Sequence, residues 1–297
     1  MLNYNIEEFK VFSTKGIGGI GVVLKACRTI GLAFLFALIA ACFTDKNDGV
    51  SRLINIIAVG VSSAAVASIY EFFDTKEQGI ITWIKSKLLY PNKSVYVSFS
   101  YLFKMEVDGK YLLIKGNRLK KQFQPIGGVY KYYPEAKPFL EKLKYKPDNR
   151  MINDGETNDI RLSIPGKNIL KFIDWFKKME NREYDPTREF NEELIETGLL
   201  PKELFTKFKY RKIYIHNVGF TYYFGDNTHK SNRLEFIYAD IFEIVLTSEQ
   251  KEAIKKAVSN HSSLLYLASL EEISNHCTNG EIEKNISNNS PWILGEE

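Results

Sequence analysis

Cysteine is scarce in this chain. Three occur in 297 residues, Cys27, Cys42 and Cys277, an odd number that gives no disulfide framework and favours a reducing compartment. The four histidines, His216, His229, His261 and His276, are scattered without ligand spacing. No serine, histidine and aspartate share a nucleophile-elbow context. Excess charge is lacking as well. A formal net charge of +4 is too small to argue for nucleic-acid binding, and no duplex nucleic acid is expected as a partner. A secretory leader is not indicated, because a long polar segment stands before the first apolar run, where a signal peptide has a short basic start.

What the chain does have is an apolar first quarter. TIGLAFLFALIAACF (Thr29–Phe43) is one dense run, extended by Arg28 snorkelling at the interface. Leu53–Tyr70 is uncharged and long enough to cross a bilayer, and TDKNDGVSR joins the two. The spacing predicts a two-helix membrane hairpin over 29–73. Small residues recur every fourth position, Ala33, Ala37 and Ala41, then Gly60, Ala64 and Ser68. Such stripes permit self-association in lipid, although Ala and Gly are simply common in membrane helices. Lys10, Lys15, Lys25 and Arg28 precede the first run, and Lys76, Lys85, Lys87 and Lys93 follow the second. The positive-inside rule places both termini in the cytoplasm of a two-span inner-membrane protein. Ile39–Cys42 has the look of a lipoprotein box, but a second span follows at once. GIGGIG at Gly16–Gly21 follows no strand and lacks the Gly-Lys-Ser/Thr ending of a phosphate loop. Residues 1–28 are then a cytoplasmic segment and 74–93 an amphipathic linker.

From Ser94 the pattern turns to strands. SVYVSFSYLFKMEV alternates, Asp108-Gly109 is a hairpin turn, and KYLLIK returns. QFQPIGGVYKYY brings Pro125 and Gly127-Gly128 after another extended run. PEAKPFLEKLK predicts a short helix and DIRLSIP a strand. NILKFIDWFKKME predicts an amphipathic helix with Ile169, Phe172, Ile173 and Phe176 on one face. The mixture indicates an α+β domain over 94–297.

The segment with chemistry in it is YDPTREFNEELIETGLLP. Asp185 caps a helix, Pro186 suits its first turn, and Gly198 stops it. Glu189, Glu192 and Glu193 stand at i, i+3 and i+4 on one face, with Glu196 beyond and Phe190 and Leu194 on the buried side. Like charges so stacked repel, and a hard divalent cation with a taste for oxygen ligands makes the arrangement favourable. A solvated acidic face is the plainer alternative.

REFNEEL resembles the core of the Nudix box, R-E-U-x-E-E. The resemblance implies that Arg188 orients the carboxylates and that Glu189, Glu192 and Glu193 hold Mg²⁺ or Mn²⁺ against a diphosphate, with Arg188, Glu192 and Glu193 in catalytic roles. The box otherwise runs G-x5-E-x7-R-E. Glu180 falls at the glutamate position, but Asp174 occupies the glycine position, and Leu194-Ile195 stand where a glycine follows the paired glutamates. Gly127-Gly128 match the glycine better, at the cost of an insertion of about fifty residues before the box helix. From the insertion, Arg161, Glu183 and Tyr132 are candidates to reach a nucleotide, with Arg182-Glu183 alternatively a structural ion pair.

The order of segments, with LYLASLEEI resembling a closing strand and helix, implies a Nudix-like α/β/α domain with a large insertion. Two spans joined to it, together with GGVYKYY, DIRLSIP, FIDWF, REFNEEL and SPWIL, are similar to the transmembrane–Nudix effectors of bacterial CBASS anti-phage signalling. That resemblance implies a soluble domain that senses a cyclic oligonucleotide and a membrane part that compromises the inner membrane. A tethered pyrophosphohydrolase acting on a nucleoside diphosphate derivative stays open beside it, as does a degenerate scaffold for protein contacts.

Overall fold

A computed structural model describes residues 79–116, 122–148, 158–223, 232–279 and 285–295. The chain divides into two compact units, Met1–Pro91 and Asn92–Glu297. Both apolar runs of the expected membrane hairpin lie outside the described residues. Among the described residues no helix is long and apolar enough to cross a membrane.

Of the first unit, residues 79–84 are α-helical and pass into a π turn at Lys85–Leu89, closed by the Tyr90 amide donating to the Lys85 carbonyl (2.8 Å).

The second unit is built on strand β1 (Ser94–Lys104), whose odd positions from Val95 to Phe103 are fully buried. It continues into β2 (Glu106–Val107), and Asp108 and Gly109, both at positive φ, turn the chain into β3 (Lys110–Lys115). This is the hairpin predicted from Asp-Gly. Short strands β4 (Phe123–Gln124) and β5 (Gly127–Val129) follow, β4 pairing with β3 and β5 with β1.

The inserted region is an integral part of the fold. Helix α1 (Lys137–Lys142) leads to β6 (Lys146–Pro147) and β7 (Arg161–Pro165), and β7 pairs antiparallel with the first half of β1. Helix α2 (Ile169–Lys178) then buries Ile169, Phe172, Trp175 and Phe176. The Phe172 and Phe176 rings lie 5.2 and 4.5 Å from Phe99 of β1. Each such side chain removed from water contributes about 1.5–3 kcal/mol, which explains how so large an insertion is held.

The long strands β8 (Lys209–Tyr223) and β9 (Arg233–Val245) form a hairpin with two register shifts, and β9 pairs in parallel with β1 from Val95–Leu234 to Lys104–Glu243. The first sheet thus runs β6-β7-β1-β9-β8, with β5 beside the second half of β1. The second sheet is built on β3, flanked by β10 (Leu265–Ala268) and β2.

Parallel pairing gives the first sheet two unlike faces. On one, Val97, Phe99, Tyr101 and Phe103 line up with Phe236, Tyr238, Asp240 and Phe242 and pack under helices. On the other, Leu102, Ala239 and Ile241 join Leu113, Ala268 and Ile293 in a second core. Towards the start of β1 that second face, with Tyr96, Ser98 and Ser100, opens into a cleft. The mixed α+β architecture expected from the sequence is present.

Candidate functional site

Helix α3 carries the glutamates. It begins at Thr187, where the Asp185 side chain accepts from the Thr187 amide (2.9 Å), and runs α-helically through Phe190. It then widens into a π turn over Asn191–Ile195, with Glu196 N donating to Asn191 O (2.8 Å). Gly198, at φ +72°, ends it, and Leu200 N bonds back to Leu194 O. Pro186 takes the cap position, and Asp185, the expected cap, stands one residue before it. The stop at Gly198 is the one the sequence predicts. The π turn is not predicted, and such turns inside helices frequently occur at functional sites. Phe190 anchors the helix, its ring 4.3 Å from Phe208 and 6.0 Å from Phe103.

Arg188 is the hub. Its Nε donates to Glu183 Oε1 (2.8 Å), Nη1 to Glu189 Oε1 (2.7 Å) and Glu192 Oε2 (3.2 Å), and Nη2 to the Val129 carbonyl (3.2 Å). Glu183 is buried and also accepts from the Lys131 amide (3.1 Å). It therefore grips the arginine from the inserted region, five residues before it, while Glu180, the residue at family spacing, makes no such contact with Arg188. Burial alone would depress the Arg188 guanidinium. The hydrogen bond to Glu183 and the charges of Glu189 and Glu183 outweigh it and raise the guanidinium above its usual range. Tyr101, wholly buried on β1, has its hydroxyl pushed up by burial and by Glu183 and Glu189, against the pull of Arg188.

Glu189, Glu192 and Glu193 are the expected metal ligands. No three acidic, histidine or cysteine side chains among the described residues stand close enough to hold a metal ion. Glu189 and Glu192 turn to Arg188 instead, because the guanidinium neutralises carboxylates that would otherwise repel. Glu193 is half-buried one position further on, its carbonyl accepting from Thr197 Oγ1 (2.7 Å). Three carboxylates on one guanidinium leave a formal charge of −2 at the cluster.

Gly127 and Gly128 adjoin this cluster. A Cβ on Gly128 would stand 2.3 Å from Glu189 Cγ, and one on Gly127 would stand 2.2 Å from the Tyr101 carbonyl. The two differ in what must yield, a flexible side chain or the backbone of β1. Gly127→Ala is expected to cost about 2 kcal/mol and Gly128→Ala about 1 kcal/mol or less, with Gly128→Ala displacing Glu189. Urea denaturation of the two variants checks the order, and equal costs would contradict it.

The same glycines line a cleft of about 370 Å³. Arg161 and Arg233 line it with Tyr96, Ser98, Glu235 and Trp292. Arg161 stands 3.5 Å from Asp159. Arg233 pairs with the buried Glu235 and stacks 4.0 Å over the Tyr96 ring. Trp292 stacks on His216 (4.4 Å).

Of the candidates from sequence, Arg188, Glu189, Glu192 and Glu183 are thus brought together, and Gly127, Gly128 and Arg161 line the neighbouring cleft. Tyr132 lies outside both and forms a bridge with Arg182 in the backbone. Sequence reasoning missed Tyr96, Arg233 and Glu235, which alternation along β1 and β9 marked only as strand residues, and Trp292 of the terminal Ser290–Ile293 turn. It also missed a buried network beneath the cluster. Tyr130 donates to Asp240 Oδ2 (2.7 Å), Lys212 Nζ reaches Asp240 Oδ1 (2.5 Å), and Arg182 lies 3.7 Å over the Phe176 ring, bonding to the Phe176 and Glu183 carbonyls.

The profile of the SMODS-associated NUDIX domain matches residues 94–294. No curated protein and no solved structure matches the chain. The matched span exceeds half of the chain and takes in the glycine pair, the inserted strands, the box helix and the terminal Ser290–Ile293 turn, so the chain belongs to the SMODS-associated Nudix family.

Proposed function

We propose that the protein is a membrane-anchored effector of CBASS anti-phage defence. In this reading the Nudix domain binds a nucleotide signal, a cyclic oligonucleotide, and the apolar N-terminal hairpin compromises the inner membrane. The observation that carries it is the position of Gly127-Gly128, which line the cleft while Gly128 also lies against Glu189 of the box helix. Arginine forks suit phosphate, and Tyr96 and Trp292 offer aromatic surface to a base. The cleft volume lies within the ordinary range for small-molecule sites.

Nudix domains generally use divalent metals, and the chemistry of this cluster fits one. Its donors are hard oxygens and its formal charge is −2. For Glu189, Glu192 and Glu193 to hold Mg²⁺ or Mn²⁺, Glu189 and Glu192 would have to turn from Arg188 toward the ion, which would supply positive charge against phosphate oxygens. Arg188 fixes Glu189, Glu183 fixes Arg188, and the bare Gly128 leaves Glu189 room to lie against β5.

Isothermal titration of the full chain in detergent, with cyclic oligonucleotides and nucleoside diphosphate derivatives, with and without Mg²⁺, tests the reading. Arg161→Ala and Arg233→Ala are each expected to weaken binding about tenfold or more, as loss of a charge-assisted phosphate contact does. Unchanged affinity in both would remove the cleft from consideration. Retention of the arginine clamp on the box glutamates supports a second reading, a tethered hydrolase. Metal-dependent breakdown of a diphosphate substrate without membrane leakage would favour it.

A further inference from the structure

The helical segment 79–89 has its polarity reversed. Leu88 and Leu89 are 64 % and 57 % exposed, and Ile81 and Ile84 are exposed with them, whereas Thr82 and Ser86 are buried. Ile81, Ile84 and Leu88 recur at i, i+3 and i+7 and so share one stripe of the helix. A helix in water places its large aliphatic side chains inward and its small polar ones outward. This one does the opposite, so its outward stripe calls for an apolar neighbour.

Three further features say which neighbour. Between residues 79 and 93 the only charged residues are Lys85, Lys87 and Lys93, all positive, as an anionic surface requires. Trp83 and Tyr90 sit half-buried along the same segment, and these are the two side chains that favour the level of lipid headgroups. Nine residues upstream of Gly79, the uncharged run Leu53–Tyr70 ends, so a bilayer-crossing segment would deliver the helix at the membrane surface. We infer that residues 79–89 form an in-plane helix docked on the anionic face of the bilayer, with Ile81, Ile84 and Leu88 dipping below the headgroups. The inference extends the membrane reading of the N-terminus and is independent of nucleotide binding. Its consequence is that the first strand of the Nudix domain starts within a few residues of the lipid surface. A change in that domain then reaches the membrane through a helix already resting on it.

The test uses the full chain in vesicles of phosphatidylcholine and phosphatidylglycerol. Single spin labels at positions 81, 84 and 88, and at Glu141 as an aqueous control, report collision with oxygen and with a water-soluble nickel chelate. The ratio of oxygen to nickel collisions is expected to be at least about threefold higher at the three positions than at 141, the signature of burial in the acyl boundary. It should fall toward the control when phosphatidylglycerol is omitted. Ready collision with nickel at all three positions would overturn the inference. So would protection from both reagents, which would mean that protein, from a second copy or from residues 1–78, covers the stripe. Alkaline extraction of the same vesicles separates this from failure of anchoring. If the chain is extracted, the N-terminal spans are at fault. If it is retained while the labels lie in water, only the docked helix is wrong.

Discussion

Arg188→Gln is expected to destabilise the Nudix domain by about 3 kcal/mol, the low end of the range for stripping one partner from a buried ion pair. The glutamine leaves Glu183 and Glu189, side chains 11 % and 21 % exposed, without the cation that faces them. Glu192 contributes little to this cost, because at 47 % exposure water screens it. Arg188→Lys keeps the charge and loses the fork. One ammonium cannot serve Nε, Nη1 and Nη2 partners on three sides, so about half of the loss should remain. Urea unfolding at neutral pH measures both. A change below 1 kcal/mol in Arg188→Gln would mean that water replaces the guanidinium and that the cluster holds no fixed geometry.

A second large effect belongs to alkaline solution. Burial drives the Tyr101, Tyr130 and Tyr238 hydroxyls well above their ordinary range, and the Asp240 carboxylate adds to it for the last two. Below pH 10 all three tyrosines are neutral whether the chain is folded or not. Above it the unfolded chain releases these protons and the folded chain keeps them, so stability falls as pH rises. Each tyrosine contributes a slope of about 1.4 kcal/mol per pH unit, and the three together up to about 4. Denaturant midpoints taken between pH 8 and 11.5 should be level at first and then drop steeply. Tyr130→Phe should remove about a third of the slope. It should also cost about 1–3 kcal/mol at neutral pH, since Asp240 loses a buried donor. A flat profile past pH 11 would show that the three hydroxyls reach water.

The local features were legible in the sequence because their causes are local. Asp108-Gly109 forces a turn, the Ile169–Phe176 stripe needs only its own spacing, and Gly198 stops a helix wherever it stands. The core of the box was legible for the same reason. Counting along the chain failed where the fold supplies partners from a distance. Glu180 has the family spacing to Arg188, yet Glu183 holds the arginine, because Arg182 is pinned on Phe176 and sets the direction of the chain. Arg233 and Glu235 join the cleft only because β9 lies parallel to β1, and no pattern within either strand announces a parallel neighbour. The π turn likewise reflects packing of Phe190 and Leu194 more than helix propensity. The membrane hairpin was read from hydropathy alone and lies outside the described residues.

The pairing of β1 with β9 also has a temporal consequence. Partners such as Val95 and Leu234 are about 140 residues apart in sequence, and contacts of such long range slow folding. As the chain leaves the ribosome, β1 emerges with its aromatic positions exposed and must wait for most of the domain to be made. Any membrane insertion of the upstream segments would be complete long before the central strand finds its partner. On the proposed reading of a membrane effector, the nascent protein would pass through a stage anchored but unable to bind a ligand, since Arg233, Glu235 and Trp292 of the cleft are synthesised last. On that reading, the order of events would keep each new copy silent until its ligand-binding domain is whole.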